Sequence, residues 1–193
     1  MAGTTATIAK EAAIADYLID AGMSRFTVRG SAGGLLSGLG HNPVVAVPDF
    51  SGDAHWDSEE PQKASLRLRI RSASLAVRND IGDKDRREMQ RVMLEEILEV
   101  DKFPEIVFES GSVSANSNGR AEIDGNLSLH GVTRRERVTA QFSVTGDMLR
   151  AFGDFTIRQS DYRIKLASVA GGALKLKDEL KFNFDIVARK KAA

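Results

Sequence analysis

Residues Asn126–Val144 read NLSLHGVTRRERVTAQFSV, with apolar side chains at alternate positions on both sides of a polar turn. Leu127 and Leu129 share one face, and Val138, Ala140, Phe142 and Val144 share another. A period of two marks a strand with one buried face, because successive side chains point to opposite sides. The stretch predicts two antiparallel strands joined by a short loop. Its apolar face must be covered, by other side chains or by something the protein carries.

The same alternation extends in both directions. Residues 179–190, ELKFNFDIVARK, set Leu180, Phe182, Phe184, Ile186 and Ala188 against Lys181, Asn183 and Asp185. Residues 64–77, ASLRLRIRSASLAV, set Leu66, Leu68 and Ile70 against Arg67, Arg69 and Arg71. Further strands are expected over 105–115, 120–131, 136–149 and 150–162, with turn chemistry at Asn118-Gly119 and Gly146-Asp147. A first strand is expected over 17–20 and 24–30, broken at Ala21-Gly22, with Phe26 and Val28 on one face. The Gly-rich stretch 31–43 suits a loop or a bent strand, and Pro48 marks an edge or a bulge. Residues 165–178 form a Gly-containing loop or short extra segment.

One stretch changes period. Residues 83–103, DKDRREMQRVMLEEILEVDKF, place Met89, Val92, Met93, Ile97 and Val100 at helical spacing. The helix is expected over about 84–99, with Asp83 or Asp85 near its start and Pro104 beyond its end. Many strands joined by short turns, with one helix, predict a mainly β fold: an antiparallel barrel or sandwich. A chain of 193 residues suits one such domain over 16–190, preceded by a tail or short helix over 1–15.

Composition narrows the chemistry. Lys+Arg and Asp+Glu both number 27, so nothing in the balance points to nucleic acid or an anionic membrane. There is no cysteine, which excludes disulfides, thiol catalysis and cysteine metal sites. No secretory leader or membrane-spanning run is read, so a soluble, cytoplasmic protein is expected. His41, His55 and His130 lack close ligand spacing, and no metal is expected. There is no Gly-x-Ser-x-Gly elbow, and SAGGLLSGLG lacks the Gly-Lys-Ser/Thr of a phosphate loop. Arg67, Arg69 and Arg71, with TRRER at 133–137, read as a solvated outer face paired with acidic residues.

Several stretches together resemble the YceI-like family of polyisoprenoid-binding, lipocalin-like proteins. They are YLIDAGMSRFTVR, RNDIGDKDRREMQRVMLEEILEVDKFPEIVFES with its Phe-Pro-x-Ile-x-Phe, IDGNLSLHGVTRRERV with its Gly-Val-Thr turn, and FTIRQSDYRI. The resemblance spans about 17–188. It implies an extended antiparallel β-barrel of about eight strands, with a helix inserted at one end. It also implies a long apolar chain held inside, such as an isoprenoid or quinone-like lipid, with no catalytic cofactor, and pairing into a homodimer. The chain departs from many members in two respects: it has no evident secretory leader, and Arg29-Gly30 stands where many have a His.

The candidate wall is Phe26, Val28, Leu66, Leu68, Ile70, Phe108, Leu127, Leu129, Phe142, Phe155, Phe182 and Phe184. Alternation alone makes these a packed core; the resemblance makes part of them a ligand cavity. Arg29, His41 and Arg158 are candidate head-group donors at a mouth. The function expected is non-catalytic binding, sequestration or transport of an apolar lipid. The rivals are a ligand-free structural barrel and an enzyme on the same scaffold.

Overall fold

The computed structural model describes residues 14–33, 42–116, 118–166, 168–169 and 174–192. Its strands are β1 (Ile14–Ile19), β2 (Arg25–Arg29), β3 (Ala32–Gly33), β4 (Val44–Ala46), β5 (Phe50–Asp57), β6 (Ser65–Arg71) and β7 (Ala76–Val77). After helix α1 (Asp83–Arg91) come β8 (Glu105–Ala115), β9 (Arg120–Leu129), β10 (Val132–Thr145), β11 (Met148–Arg158), β12 (Ser168–Val169), β13 (Leu174–Leu176) and β14 (Glu179–Lys190). Eight of them form a closed antiparallel barrel in the order β1-β5-β6-β8-β9-β10-β11-β14, with β14 returning to β1. Closure leaves no long open edge. The opening hairpin is β9–β10, with Leu129 opposite Val132 and Leu127 opposite Arg134.

Three of the barrel strands are broken at one level. β1 and β2 are halves of a single strand, interrupted by a short 3-10 turn at Ala21–Met23. The sequence places this break at Ala21-Gly22. Both halves pair with the same edge of β14, β2 over Lys181–Asp185 and β1 over Ala188–Lys190. β4 and β5 are separated at Pro48, which has no N–H to give to a ladder. β6 and β7 are separated by a 3-10 turn at Ser72–Ser74. The freed backbone groups find partners. Ser24 Oγ donates to the Asp20 carbonyl at 2.6 Å and accepts from Val187 N at 2.9 Å. Ser72 N donates to the Pro104 carbonyl at 2.9 Å.

The breaks open the barrel at one end. β8 pairs with β6, while β7 pairs only with β4, so the sheet parts between β7 and β8. The helix fills that gap. Gln90 stands in for a missing strand: its Oε1 accepts from Val77 N at 2.8 Å, and its amide donates to the Leu75 carbonyl at 2.5 Å. Asn79 does the same for β4, accepting from Val44 N at 2.8 Å and donating to the Asn42 carbonyl at 2.7 Å.

The helix differs from the expected span. The α segment ends at Arg91 and continues as a wider π-helical turn over Val92–Ile97. The Leu98 N–H bonds to the Met93 carbonyl, five residues back. The extra residue per turn shifts the apolar phase. Leu98 therefore joins the inward face, and Val100 lies beyond it. The first strand begins at Ile14, earlier than expected, because Ile14–Leu18 pair with Asp53–Asp57 of β5. Within 31–43 and 165–178, β3, β12 and β13 make a small separate sheet.

The end of the barrel opposite the helix is plugged. Ala15, Tyr17 and Ala188 are fully buried there, packed with Trp56, Val144 and Leu149. The Trp56 and Phe142 rings meet edge-on at 4.9 Å. The two ends differ because one is stoppered by side chains and the other is bounded by a helix.

A Cβ at Gly125 would sit 2.5 Å from Phe108 Cζ and 2.6 Å from the Glu109 carbonyl oxygen. Gly125→Ala should lower the urea midpoint by an amount equivalent to roughly 1–3 kcal/mol, with an unchanged m-value. Arg137 holds Asp124 below the usual carboxylate range, and Arg150 does the same for Asp185. The Ser160 hydroxyl lowers Asp178, the Glu59 and Glu60 amides lower Asp57, and Arg189 lowers Asp20. A depressed folded-state value adds stability above the unfolded carboxylate pKa of about 3.9, and that stability is lost as pH falls through the folded value. Thermal melts should therefore hold steady in this respect from about pH 7 to pH 5 and decline below about pH 4.

Candidate functional site

The inward faces of the strands enclose a cavity of about 1040 Å³. Well-packed interiors hold few voids larger than a water molecule, so this space is a built feature. All of Phe26, Val28, Leu66, Leu68, Ile70, Phe108, Leu127, Leu129, Phe142, Phe155, Phe182 and Phe184 border it. Alternation put them on one face, and closure turned that face into a wall. Phe26, Ile70, Phe108, Leu127 and Leu129 are buried; Leu66, Leu68, Phe155, Phe182 and Phe184 are half-buried, their free area turned to the cavity.

The wall has an aromatic belt midway along. Phe155 and Phe182 stack at 4.7 Å, Phe155 and Phe184 lie tilted at 6.4 Å, and Phe26 meets Phe182 at 6.1 Å. Phe26 also meets Phe50 edge-on at 6.0 Å. Such pairs fix ring orientations beyond what area burial alone would do. Gly125 and Gly153 give the belt room: the Phe108 ring covers the first, and the Phe184 ring lies 2.9 Å from where a Cβ of the second would be.

The helix supplies one side of the wall: Met89, Val92, Met93, Ile97 and Leu98 all border the cavity. Its far end is fixed by His130, whose Nε2 lies 3.1 Å from Glu99 Oε2 and whose Nδ1 lies 3.2 Å from the Tyr162 carbonyl. Phe103 packs on the same imidazole, with ring centroids 4.5 Å apart. Tyr162 is wholly buried, and its hydroxyl donates to Glu136 at 2.6 Å. Burial first, and then Glu136, push the phenol far above its ordinary pKa, so it stays a donor.

The proposed head-group donors fall elsewhere. Arg29 ends β2 and Arg158 ends β11, both exposed and neither bordering the cavity. The period of two explains this correction: Val28 and Ile157 turn inward, so the next residue turns out. His41 lies outside the described residues. The polar groups that do border the space are His55 and Ser65 at the plugged end, and Asp80, Asp85, Glu88 and Gln159 at the helix end. Asp85 and Glu88 lie one helical turn before Met89 and Val92, and Gln159 lies two residues after Ile157, so periodicity carries these three to the inner side; Asp80 has no such signal. Ile123, Val138 and Ala140 also border it, and the alternation of β9 and β10 could have found them.

The remaining sequence features resolve as surface structure. Arg67 pairs with Glu109 at 2.8 Å and Arg71 with Asp49 at 2.6 Å. Glu109 belongs to the neighbouring strand β8, and Asp49 lies just before β5. In TRRER, Arg134 faces Asp161 at 3.6 Å, while Arg135 and Arg137 share Asp124. His55 pairs with Asp16 at 2.9 Å. Among the described residues, no group of His, Asp and Glu gathers closely enough to hold a metal, and no helix is long and apolar enough to cross a membrane.

Comparison with known proteins agrees with this architecture. A UPF0312 protein of Pseudomonas putida is 30% identical over 145 residues, which is 75% of this chain and 70% of that one. A UPF0312 protein of Shewanella sp. strain MR-4 is 31% identical over 162 residues, 80% of each chain. Among solved structures, Burkholderia cenocepacia BcnA superposes with a TM-score of 0.69 at 17% identity, covering 88% of this chain and 98% of that one. A polyisoprenoid-binding domain from Saccharophagus degradans, implicated in plant cell wall breakdown, superposes with a TM-score of 0.66 at 13% identity, covering 93% and 100%. The family model of the YceI-like domain matches residues 17–188, and with nearly its whole length so matched the chain belongs to the YceI-like family.

Proposed function

We propose that the protein binds a long, slender apolar molecule, an isoprenoid or a lipid of similar shape, and holds it for sequestration or transport without transforming it. The observation that carries this reading is the cavity of about 1040 Å³ with a hydrocarbon wall. It lies at the upper end of the roughly 300–1,000 Å³ typical of small-molecule sites.

The wall is suited to burial rather than to chemistry. Each buried CH₂ contributes roughly 0.8 kcal/mol, so a chain of several isoprene units binds through area alone. The aromatic belt around Phe155, Phe182 and Phe184 offers flat surfaces to unsaturated units. The Saccharophagus degradans domain described as polyisoprenoid-binding shares the barrel, and supports the same ligand class here.

Native mass spectrometry of the purified chain, followed by organic extraction, tests the reading. A stoichiometric adduct whose extract shows repeating isoprene or methylene masses is expected. Protein at its bare mass, and still bare after incubation with prenyl quinones, would sink it. A second test fills the space. Ile123 is half-buried on the cavity wall. Ile123→Trp should leave the circular dichroism of the folded barrel in place. It should weaken binding of an added prenyl chain by about tenfold or more, since displacing two or three CH₂ groups forfeits that much.

A further inference from the structure

The cavity has a floor, and the pleat locates it. On β10, Phe142 borders the space, while Val144, the next inward position, packs in the plug. On β14 the same step falls between Ile186 and Ala188, and on β1 between Ile19 and Tyr17. What stops the space there is aromatic. The Trp56 and Phe142 rings meet edge-on at 4.9 Å. Tyr17 stands behind them, wholly buried with Ala15 and Ala188. The wall beside the rings is lined by small side chains: Ala54 lies two residues before Trp56, and Ala151 is the cross-strand partner of Phe142. The rings, rather than that wall, end the cavity.

The polar groups that border the space set the direction of a chain inside it. Asp80, Asp85, Glu88 and Gln159 lie at the helix end. At the floor, His55 and Ser65 occupy outward positions of the pleat, next to Trp56 and Leu66, and the His55 ring pairs with Asp16 at 2.9 Å. A polar head is therefore served at the helix end, and the tail points at the floor. β11 measures the distance between the two, with Leu149 near its start and Gln159 one residue past its end, both bordering the cavity. The ten steps from 149 to 159, at ~3.3 Å each on strands tilted by about 40°, advance roughly 25 Å along the barrel. An isoprene unit adds four carbon–carbon bonds of ~1.5 Å, about 5 Å of extended chain. Roughly five units fit between the helix end and the floor.

We propose that the Trp56–Phe142 pair, backed by Tyr17, sets the longest chain the barrel takes in, with Trp56 as the residue that determines chain-length specificity. The proposal rests on the apolar-carrier reading and deepens it. A shorter chain leaves part of the wall uncovered and binds more weakly. A longer one meets rings held from behind, so its surplus units stay in water at the helix end and add nothing. Burial by area alone would reward every added unit; a floor imposes a plateau.

Linear all-trans prenyl alcohols of three to nine units, delivered to the full chain from one detergent stock, separate the two. Affinity should rise by at least about tenfold per unit from three to five, and stay level from six to nine. In Trp56→Ala the plateau should begin about one unit later, because Tyr17 still closes the end. In Ala151→Leu, which fills space just above the floor, it should begin about one unit earlier. The unaltered protein gives a readout that needs no variant, since Trp56 is its sole tryptophan. A five-unit alcohol brominated at its far end should quench the Trp56 emission, and one brominated beside the hydroxyl should leave it unchanged. Affinity that climbs through nine units, a plateau that neither folded variant moves, or the reverse pattern of quenching would each overturn the proposal. If no alcohol of any length bound, the carrier reading itself would fall; binding without a plateau would remove the length limit alone.

Discussion

The ladder between β14 and the two halves of the first strand is the contact on which the rest depends. One edge of β14 meets β11 along eleven registered pairs, from Met148–Arg189 to Arg158–Glu179. The other edge must close the barrel, and a single straight strand does not do it. β2 takes the lower stretch and β1 the upper, with the break bridged by Ser24, Asp20 and the Val187 backbone. Without that closure, β1 and β14 would be open edges, and the apolar faces of both would lose their enclosure. Buried backbone groups need partners, and here the geometry of satisfying them sets the shape of the container.

The break in the first strand propagates. β4–β5 and β6–β7 are interrupted at the same level, and the sheet parts at β7. A parted sheet exposes unpaired amides, and Gln90 and Asn79 satisfy them with side chains. The helix is therefore held by hydrogen bonds on one side, by apolar contact on its inner face, and by the Glu99–His130 contact at its end. Its π-helical turn brings Leu98 to the cavity in place of Val100.

The cavity follows from the same constraints. An eight-stranded barrel has an interior that side chains can just fill or that can hold one slender ligand. Here the plugged end is filled by Tyr17, Trp56 and Phe142, and the middle is left open by rings that stack on the wall instead of crossing it. Gly125 and Gly153 are what permit the rings to lie flat, since any side chain there would push Phe108 and Phe184 into the space. Binding, in this design, is what remains when the wall is packed against itself.

The wall was legible in the order of the amino acids. Alternation at Leu127–Leu129, Leu66–Ile70 and Leu180–Ile186 named the inward face of each strand, because a pleated strand can only present every second side chain to one side. It also located the break at Ala21-Gly22, the irregularity at Pro48 and the helix, since glycine, proline and a change of period are local signals. That the face encloses a space came from the way the strands close on one another. Apolar alternation is the same for a packed core and for a cavity, and the difference lies in how far facing walls stand apart. The tertiary structure also decided which polar groups reach the mouth. Asp80, Asp85 and Glu88 are brought to it by the helix that fills the gap between β7 and β8, a long-range event, whereas Gln159 follows the inward alternation of β11, and Arg29 and Arg158 are turned outward by the same pleat that turns their neighbours in.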